Sequence, residues 1–349
     1  MLCTLCGRGS RRWCGRSRSA SGSPTPSGHI GALVIDEASQ AGEIDSLIPF
    51  SMLLGSNVQS KVPRIALLGD PKQLPVTVMA EEPCARERLS TSLMERMLMV
   101  PEPRRCRVEF LNTQYRMAPP ISSFVSKTFY SGRLLDSASV TERASSIPAA
   151  FLRHGKLASL MFVDEPSAVE SKVSRDDGYS ASNRGEAMAI ARVLAAWQKC
   201  QPIEPKAPLS VLVITPYRAQ QDVLRRELAH AGLWIGGWEA TALRTRSPGY
   251  IGSLPPPATF EVCTIDGGQG READVVVLST VVRTPRKGKN ATIGFLSDPR
   301  RACVALSRAR DALWVFGSSS VLSACPLWSS WLAHCRSAGR LAAGASSLL

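Results

Sequence analysis

Short apolar runs that each end in a polar residue are the feature that most constrains how this 349-residue chain folds. Near-continuous runs of about four to six apolar residues are typical of strands buried on both faces, as in a parallel sheet covered by helices. The runs lie at 32–35, 65–68, 160–163, 211–214, 275–278 and 313–316. They predict an α/β fold with doubly wound parallel sheets. In such sheets ligands bind beyond the carboxyl ends of strands, so the residues that close each run are the first candidates for a functional site.

Segments with helical periodicity separate these runs. Apolar residues recur at three- and four-residue spacing in Ser90–Met99 and in Asn183–Trp197. A third helix is predicted after Thr215, with Pro216 at its first position. Segments rich in Pro, Gly or basic residues predict loops at 201–208, 246–258 and 284–290.

The charge balance favours a polyanionic partner. Lys and Arg number 42 against 29 Asp and Glu, which gives a net charge of +13. Residues 1–29 hold five Arg and no acid, so +8 remains on the rest of the chain. The 44% apolar content excludes wholesale disorder. Residues 1–29, which are rich in Arg, Ser and Gly and show no periodicity, are predicted to form a disordered tail.

The chain shows no pattern typical of a membrane segment. Its longest uncharged stretch, 312–333, contains Gly317, Pro326 and several Ser, unlike a lipid-facing helix. The start lacks the apolar run of a secretory signal, so the ten Cys are expected as thiols in the cytoplasm or nucleus. The Arg- and Ser-rich, acid-free start leaves a mitochondrial address as the alternative.

A zinc site near the start is a further hypothesis. Cys3, Cys6, Cys14 and His29 supply four ligands of the right type, although their spacing matches no standard site. The alternative is that these residues belong to the disordered tail.

The first chemistry-bearing segment is the run from Ala32 to Gln40, in which a strand delivers adjacent acids at its carboxyl end. Asp36 in this position can hold Mg²⁺, usually through water, while Glu37 orients or deprotonates an attacking water. This is a Walker B pattern. An Asp-Glu pair also follows strands by chance, so a purely structural role stays open for this segment alone.

A second buried strand begins at Arg64 and is followed by a turn. The turn places Asp70 and Gln73 beyond the strand. A neutral amide at this position can hydrogen-bond both a γ-phosphate oxygen and a water without adding charge. The two segments together favour phosphoryl-transfer chemistry.

Six motifs in a fixed order carry a family resemblance. They are Asp36-Glu-Ala-Ser39, Gly69-Asp-Pro-Lys-Gln-Leu-Pro75, Gln114-Tyr-Arg-Met117, Thr215-Pro-Tyr-Arg-Ala-Gln220, Gln269-Gly-Arg-Glu272 and Val304-Ala-Leu-Ser-Arg-Ala-Arg310. In this order and spacing, residues 30–335 resemble superfamily 1 helicases of the nonsense-mediated-decay and senataxin group. The resemblance implies an ATPase motor of two RecA-like lobes, of the P-loop NTPase class. ATP would bind in the cleft between the lobes, and single-stranded RNA or DNA across their top.

The resemblance also implies roles for the acids and the amide of the first two motifs. Asp36 and Glu37 would serve Mg²⁺ and water. Gln73 would sense the γ-phosphate, with Asp70 beside it at the nucleotide.

Four further residues are implied to act at the nucleotide. Arg116 and Arg308 would come from the second lobe as fingers that neutralise charge on the transferring phosphoryl group. A guanidinium suits this role because it donates in a fixed fork to phosphate oxygens. Glu272 would contact the nucleotide sugar, and Arg310 would brace the site. For a lone arginine, the alternative is a surface ion pair.

The nucleic-acid track is implied to include the helix start between Thr215 and Gln220. Free backbone N–H groups at a helix N-terminus favour an anion, which the resemblance identifies as a nucleic-acid phosphate. An ordinary helix cap is the alternative. Thr264, Asp266 and Gln269 are expected along the same track. The basic segment 283–289 would add contacts to the backbone, or be a solvated charge run.

Three positions depart from the family pattern. Gly268 stands where an aromatic residue is usual, Cys303 where Asn is frequent, and Ala118 where His is common. We expect looser packing behind Gly268.

The larger departure is that the sequence contains no Gly-x-x-x-x-Gly-Lys-Ser/Thr, the loop whose amides and Lys hold the phosphates. We therefore expect the carboxyl portion of a helicase: a tail at 1–29, a partial first lobe at 30–108, a complete second lobe at 109–335 and a flexible tail at 336–349. The alternative is a nucleic-acid-binding or partner-binding module without ATPase activity.

Overall fold

The computed structural model describes residues 32–54, 64–101, 106–143, 158–165, 170–175, 178–199, 208–233, 235–236, 258–282 and 293–349. They form parts of two compact units that divide between Leu111 and Asn112. Each unit is described by itself. The predicted disordered tail, the hypothetical zinc ligands and the basic segment 283–289 lie outside the described residues.

The first unit contains a two-stranded parallel sheet and helices. Its described elements are β1 (Ala32–Ile35), α1 (Glu43–Leu54), β2 (Arg64–Leu67), α2 (Pro83–Leu89) and α3 (Leu93–Leu98). Ala32 pairs with Arg64 and Ile35 with Leu67, so both predicted strands are confirmed. The predicted burial of these two strands is wrong, because Val34 is 59% and Ile65 43% exposed. Among the described residues no further strand pairs with either one.

The helix predicted at Ser90–Met99 begins later, at Leu93. Ser92 caps it by accepting from the Glu95 amide at 3.1 Å, and Glu95 Oε2 accepts from the Ser92 amide at 3.1 Å. This reciprocal capping box fixes the helix start. The Ser-x-x-Glu spacing in the sequence is its signature.

The second unit is built on a central sheet. Its described strands are β3 (Thr113–Gln114), β4 (Leu135–Asp136), β5 (Leu160–Asp164), β6 (Ser171–Arg175), β7 (Gly178–Ser182), β8 (Leu209–Thr215), β9 (Ala258–Thr264), β10 (Ala273–Ser279), β11 (Ala309–Gly317) and β12 (Leu341–Ala342). Its described α-helices are α4 (Pro119–Phe129), α5 (Ala138–Thr141), α6 (Arg184–Lys199), α7 (Arg218–His230), α8 (Pro299–Leu306), α9 (Ser319–Leu322) and α10 (Pro326–Ser337).

Six strands form the central sheet in the order β12-β5-β11-β10-β8-β9. Every pairing between them is parallel. The four apolar runs predicted in this part of the chain are β5, β8, β10 and β11. The predicted α/β class with a parallel sheet is therefore confirmed.

Both faces of this sheet are covered. On one face Trp314 packs edge-on against Trp197 of α6, with ring centroids 5.9 Å apart. Leu313 and Val315 alternate to the other face and are also fully buried, at 0% exposure. Because side chains alternate along a strand, burial of both sets explains the continuous apolar runs.

Of the loop predicted over 246–258, only Ala258 is described, and it begins β9; the rest of that loop, the loop predicted at 284–290 and all but the last residue of the one at 201–208 lie outside the described residues. Within β9, Thr259 and Glu261 are half-buried and interrupt the apolar run. The structure corrects one expectation at the edge of the sheet. The flexible tail predicted at 336–349 is wrong, because β12 adds an edge strand beside β5 and Leu348 is buried. A two-residue strand is too short to show periodicity in the sequence.

The helix predicted after Thr215 is confirmed, but Pro216 precedes it. Tyr217 is the N-cap and α7 begins at Arg218. Among the described helices, none combines the length and the hydrophobicity that a bilayer-spanning segment needs.

Candidate functional site

In the first unit, the turns that follow β1 and β2 pack directly against each other. Ala38 donates its amide to the Leu68 carbonyl at 2.7 Å, and the Asp70 amide donates to Ser39 Oγ at 3.2 Å. Gly69 allows this approach, because a Cβ there would lie 2.9 Å from the Ser39 amide nitrogen. The Asp36 and Asp70 motifs therefore meet at the carboxyl edge of one sheet.

Asp70 organises the second of these turns. Its Oδ1 accepts from the Lys72 amide at 3.0 Å, and its Oδ2 accepts from Gln73 Nε2 at 2.8 Å. Both Asp70 and Gln73 are buried. The carboxylate thus sets the orientation of the Gln73 amide.

Glu37 has an unusual backbone conformation. Its φ is +52°, a region that few residues other than glycine adopt. Its amide donates to Asp36 Oδ1 at 2.9 Å, and its Oε2 accepts from Gln40 Nε2 at 3.1 Å. Strained residues of this kind cluster at active sites, and Glu37 is a predicted catalytic residue.

The chemistry of the Asp36–Glu37 pair fits Mg²⁺ bound together with a nucleotide. Mg²⁺ usually takes one or two carboxylates and fills its other positions with water and substrate phosphates. Asp36 is exposed and bears the needed carboxylate. Within the described ranges no group of three or more His, Cys, Asp or Glu is placed to hold a metal by protein ligands alone.

In the second unit, Arg116, Glu272, Arg308 and Arg310 lie together. Arg116 Nε donates to Glu272 Oε2 at 2.7 Å, and its Nη1 donates to the Ser307 carbonyl at 3.2 Å. Partial burial raises the pKa of Glu272, but the hydrogen bond from Arg116 and the charges of Arg116, Arg310 and Arg308 outweigh it and lower this pKa below 4.5. The sequence-predicted nucleotide residues of this unit therefore form one basic cluster beside Glu272, and Arg310 also pairs with Asp274 at 3.9 Å.

Arg308 is the most buried member of this cluster, at 2% exposure. Its Nε donates to the Val304 carbonyl at 3.1 Å and its Nη2 to Ser307 Oγ at 2.8 Å. These bonds hold the guanidinium against the last turn of α8.

Two residues that shape this cluster were not among the predicted site residues. Arg143 Nη2 donates to the carbonyls of Arg116 at 2.8 Å and Arg310 at 3.0 Å, and forms an ion pair with Asp311 at 3.1 Å. Gln114 Oε1 accepts from the Arg116 amide at 2.9 Å, which folds the turn that presents Arg116. Gln114 belongs to the motif Gln114-Tyr-Arg-Met117, whereas no sequence pattern marks Arg143.

The predicted nucleic-acid residues are at or near the carboxyl ends of β8 and β9. Thr215 is fully buried, and its Oγ1 has no hydrogen-bond partner among the described residues. Thr264 Oγ1 accepts from the Gly267 amide at 3.1 Å and shapes the following turn. Both side-chain polar atoms of Gln269 are buried and lack a partner in the described part of the chain.

Asp266 is bound to a neighbouring arginine. Arg301 donates from Nε to Oδ1 at 2.9 Å and from Nη2 to Oδ2 at 3.1 Å. Both carboxylate oxygens thus accept from Arg301.

Gln220 does not fit its predicted contact with a nucleic-acid phosphate. Its side chain is fully buried: Oε1 accepts from the Asn183 amide at 2.7 Å, and Nε2 donates to the Asn183 carbonyl at 3.1 Å and to Ser279 Oγ at 3.0 Å. Gln220 instead joins α7 to β10 and to Asn183, the residue before α6. Its spacing from Val223 and Leu224 places it on the buried face of α7, a signal already present in the sequence.

The same internal network continues to a strained residue. Glu186 Oε1 accepts from Ser279 Oγ at 2.6 Å and from the Val281 amide at 3.0 Å. Asn183 Nδ2 donates to the Val281 carbonyl at 3.1 Å. Val281 has a φ of +69°, so side chains from α6 and the residue before it hold both sides of a strained turn beyond β10.

Among the three positions that depart from the family pattern, Gly268 has neighbours at ordinary contact distance, not the looser packing that we expected. A Cβ on Gly268 would meet Cys263 Sγ and Ile214 Cδ1 at 3.5 Å, an ordinary contact. Buried Cys303 lies 3.4 Å from the Tyr130 hydroxyl, and Ala118 is the N-cap of α4 without a side-chain hydrogen bond.

The parallel α/β sheet, with polar motif residues beyond the ends of its strands, defines a P-loop NTPase fold of the helicase type. A family model described as an AAA domain matches residues 89–320, and a second model with the same description matches residues 2–81. The chain belongs to this AAA-domain family, within the superfamily 1 helicases of the nonsense-mediated-decay and senataxin group.

Individual relatives agree with this assignment. The chain is 33% identical over 303 residues to a regulator of nonsense transcripts 1 homolog of Arabidopsis thaliana, covering 86% of this chain and 21% of that protein. It is 31% identical over 302 residues to helicase sen1 of Schizosaccharomyces pombe, covering 86% of this chain and 15% of that protein. The chain thus spans about a fifth or less of these relatives. Among solved structures, the PRRSV helicase matches with a TM-score of 0.34 and 17% identity, over 81% of this chain and 34% of that one.

Proposed function

We propose that this chain forms part of an ATP-dependent helicase that acts on single-stranded RNA or DNA. The observation that carries the proposal is the cluster of Arg116, Arg308 and Arg310 around Glu272, within one unit of the helicase fold. Three guanidinium groups this close are strongly suited to phosphate oxygens. On this proposal, residues 30–108 are a partial first RecA-like lobe and 109–335 a second one.

Each unit has its own proposed task toward ATP. In the first, Asp36 holds Mg²⁺ through water, Glu37 orients the attacking water, and Gln73, fixed by Asp70, contacts the γ-phosphate. When bound, Mg²⁺ would neutralise phosphate charge.

In the second unit, the arginines stabilise the charge of the transferring phosphoryl group, and Arg310 braces them. Glu272 has two proposed tasks. It holds Arg116 in place, and it offers a carboxylate oxygen to the nucleotide sugar.

Single-stranded nucleic acid is the proposed second ligand, along Thr215, Thr264 and Gln269. Support comes from the net charge of +13 and from the place of these residues, at or just beyond the carboxyl ends of β8 and β9. Asp266 contributes indirectly through Arg301, and Gln220 through the fold of α7. The proposed compartment is the cytoplasm or nucleus, which suits the free thiols of the described cysteines.

Titration with a fluorescent ATP analogue in the presence of Mg²⁺ tests the nucleotide part of the proposal. Arg116→Ala should weaken binding by about 10-fold or more, since a charge-assisted hydrogen bond contributes about 1.5–3 kcal/mol. Arg336→Ala, at an exposed arginine of α10, is the matched control and should bind like the wild type. Equal affinities for both variants would contradict the assigned role of Arg116. Absence of saturable nucleotide binding in the wild type would favour the partner-binding alternative.

A further inference from the structure

Phe295 is an exposed aromatic residue on a turn whose other apolar side chain, that of Leu296, is buried. It lies on the 3₁₀ turn Gly294–Ser297 and is 45% exposed, whereas Ile293 and Leu296 on either side are 1% exposed. Trp328 Nε1 donates to the Leu296 carbonyl at 2.8 Å and ties the turn to α10. The backbone is therefore anchored while the Phe295 ring faces outward.

Two neighbours fix the orientation of this ring. The Arg301 guanidinium carbon lies 4.9 Å from the ring centroid, in a cation–π arrangement. The ring of buried Tyr217 lies 5.6 Å away at a tilt of 58°. A ring held in this way loses little further freedom when a ligand packs on it.

Arg301, which packs against the ring, is itself held in place by hydrogen bonds. Arg301 donates to both oxygens of Asp266, and its Nη1 also donates to Asp298 at 3.3 Å. Two carboxylates thus balance the guanidinium, which makes it a poor phosphate ligand and a good fixed platform for the ring.

The position of Phe295, Arg301 and Asp266 in the fold indicates which ligand packs on the ring. Tyr217 follows Thr215 at the end of β8 by two residues, and Asp266 follows Thr264 at the end of β9 by two residues. The ring therefore adjoins the residues to which the proposed function assigns single-stranded nucleic acid. Its turn neighbours Ile293 and Leu296 are buried, so the exposed apolar surface on this turn is one ring, which suits a flat ligand better than a protein interface.

We infer that Phe295 is a stacking platform for one base of single-stranded nucleic acid, supported from behind by the Arg301–Asp266 pair. This inference rests on the proposed nucleic-acid function and adds base stacking to it. Stacking of this kind is tolerant of sequence because every base has a π-face. It also gives Asp266 a supporting role in place of direct contact with the strand.

The test compares a labelled oligothymidylate with an abasic oligomer of the same backbone and length, by fluorescence anisotropy on the full chain. Phe295→Ala should weaken binding to oligothymidylate by about 5- to 150-fold and leave binding to the abasic oligomer unchanged. Phe295→Leu, which keeps apolar bulk without a π-face, should lose affinity similarly. Phe295→Trp should retain it, with indole fluorescence quenched on binding. Met188→Ala, at a 42% exposed residue of α6, is the control for loss of exposed apolar surface.

The outcomes separate the inference from the proposed function. If the wild type binds both oligomers and Phe295→Ala weakens neither, or weakens both equally, the stacking platform is wrong while nucleic-acid binding stands. If the wild type binds neither oligomer, both proposals fail. The platform is supported if Phe295→Ala loses affinity for oligothymidylate but not for the abasic oligomer, and if Phe295→Trp binds oligothymidylate like the wild type.

Discussion

Arg116 and Glu272 stand 156 residues apart in sequence, yet Arg116 Nε donates to Glu272 Oε2 at 2.7 Å. The side chain of Arg116 is only 18% exposed and that of Glu272 is 47% exposed. The pair thus joins a largely buried cation to a partly hydrated anion. It fixes the direction of Arg116, the residue proposed to reach a phosphate.

The pKa of Glu272 should respond to loss of this partner. Arg116→Gln removes the hydrogen bond and one positive charge, so partial burial is then opposed only by Arg310 and Arg308. We expect the pKa of Glu272 to rise from below 4.5 toward that ordinary value or above it. The measurement is a carboxyl-carbon NMR titration of labelled Glu, with assignment by Glu272→Gln. A pKa that does not change in Arg116→Gln would show that the pair is not formed in solution.

The lowered pKa of Glu272 also determines in which direction the stability of the protein changes with pH. A carboxylate whose pKa is lowered on folding stabilises the protein above the unfolded value, near 4.5, and this contribution is lost as pH falls through the folded pKa. Because Glu272 is nearly half exposed, solvent screening limits the contribution to about 0.5 kcal/mol. The difference in unfolding free energy between wild type and Glu272→Gln should therefore be small at pH 7 and smaller still below pH 4.5.

Arg143 should be important for the stability of the second unit. Arg143→Ala removes two hydrogen bonds to backbone carbonyls and the ion pair with buried Asp311, at an expected cost of about 2 kcal/mol or more. Arg143→Lys, whose ammonium group lacks the planar fork of a guanidinium, should recover only part of the lost stability. Urea unfolding followed by tryptophan fluorescence measures the effect, since the buried tryptophans of the described residues lie in this unit. A loss no larger than that of Arg336→Ala would contradict the bridging role.

Gly69 should be intolerant of any side chain. A Cβ there would lie 2.9 Å from the Ser39 amide nitrogen and 3.0 Å from Met94 Sδ, so Gly69→Ala must separate the two motif turns. We expect a local loss of about 1–3 kcal/mol, seen as about 5- to 150-fold faster amide hydrogen exchange over residues 64–70. Gly42→Ala is the control, because its nearest neighbour is the Asp45 carboxylate at 3.1 Å, which can rotate away. Equal exchange in both variants would show that the turns are not in close contact.

The centre of the sheet was predictable because strands buried on both faces have continuous apolar sequences. The edges were not. In β9 the half-buried Thr259 and Glu261 interrupt the pattern, and β12 has only two residues. Edge strands derive their place from backbone pairing, which side-chain patterning records weakly.

The candidate site was predictable to the extent that its residues lie in contiguous motifs. Arg116 and Glu272 were found as members of separate motifs, but their contact depends on the fold. Arg143 was missed because its function depends on carbonyls 27 and 167 residues away. Phe295 was missed because the exposure of a single ring on a buried turn is set by tertiary packing.

The 349-residue chain should hydrolyse ATP negligibly, because its sequence contains no Gly-x-x-x-x-Gly-Lys-Ser/Thr to hold the phosphates. The measurement is steady-state phosphate release with and without single-stranded nucleic acid. Glu37→Gln is the control, since it removes the proposed water-orienting carboxylate. Release that nucleic acid stimulates and Glu37→Gln abolishes would overturn this prediction.

The central claim, that this basic chain binds single-stranded nucleic acid mainly through phosphates, is tested most directly by a salt series. A variant with the five arginines of residues 1–29 changed to Gln prevents that segment from supplying the signal; these are Arg8, Arg11, Arg12, Arg16 and Arg18. If about three phosphates are neutralised, the slope of log affinity against log salt should be near −2, with micromolar or weaker affinity, as about −0.7 is expected per phosphate of a single strand.

Arg218→Gln, at the exposed start of α7, should reduce the magnitude of this slope by about 0.7, whereas Arg336→Gln should leave it unchanged. Fluorescence anisotropy with a labelled oligonucleotide is the measurement. A slope near −2 that falls selectively in Arg218→Gln is the predicted result. Binding that does not depend on salt, or no binding even at low salt, would contradict the nucleic-acid function and favour a role in binding a protein partner.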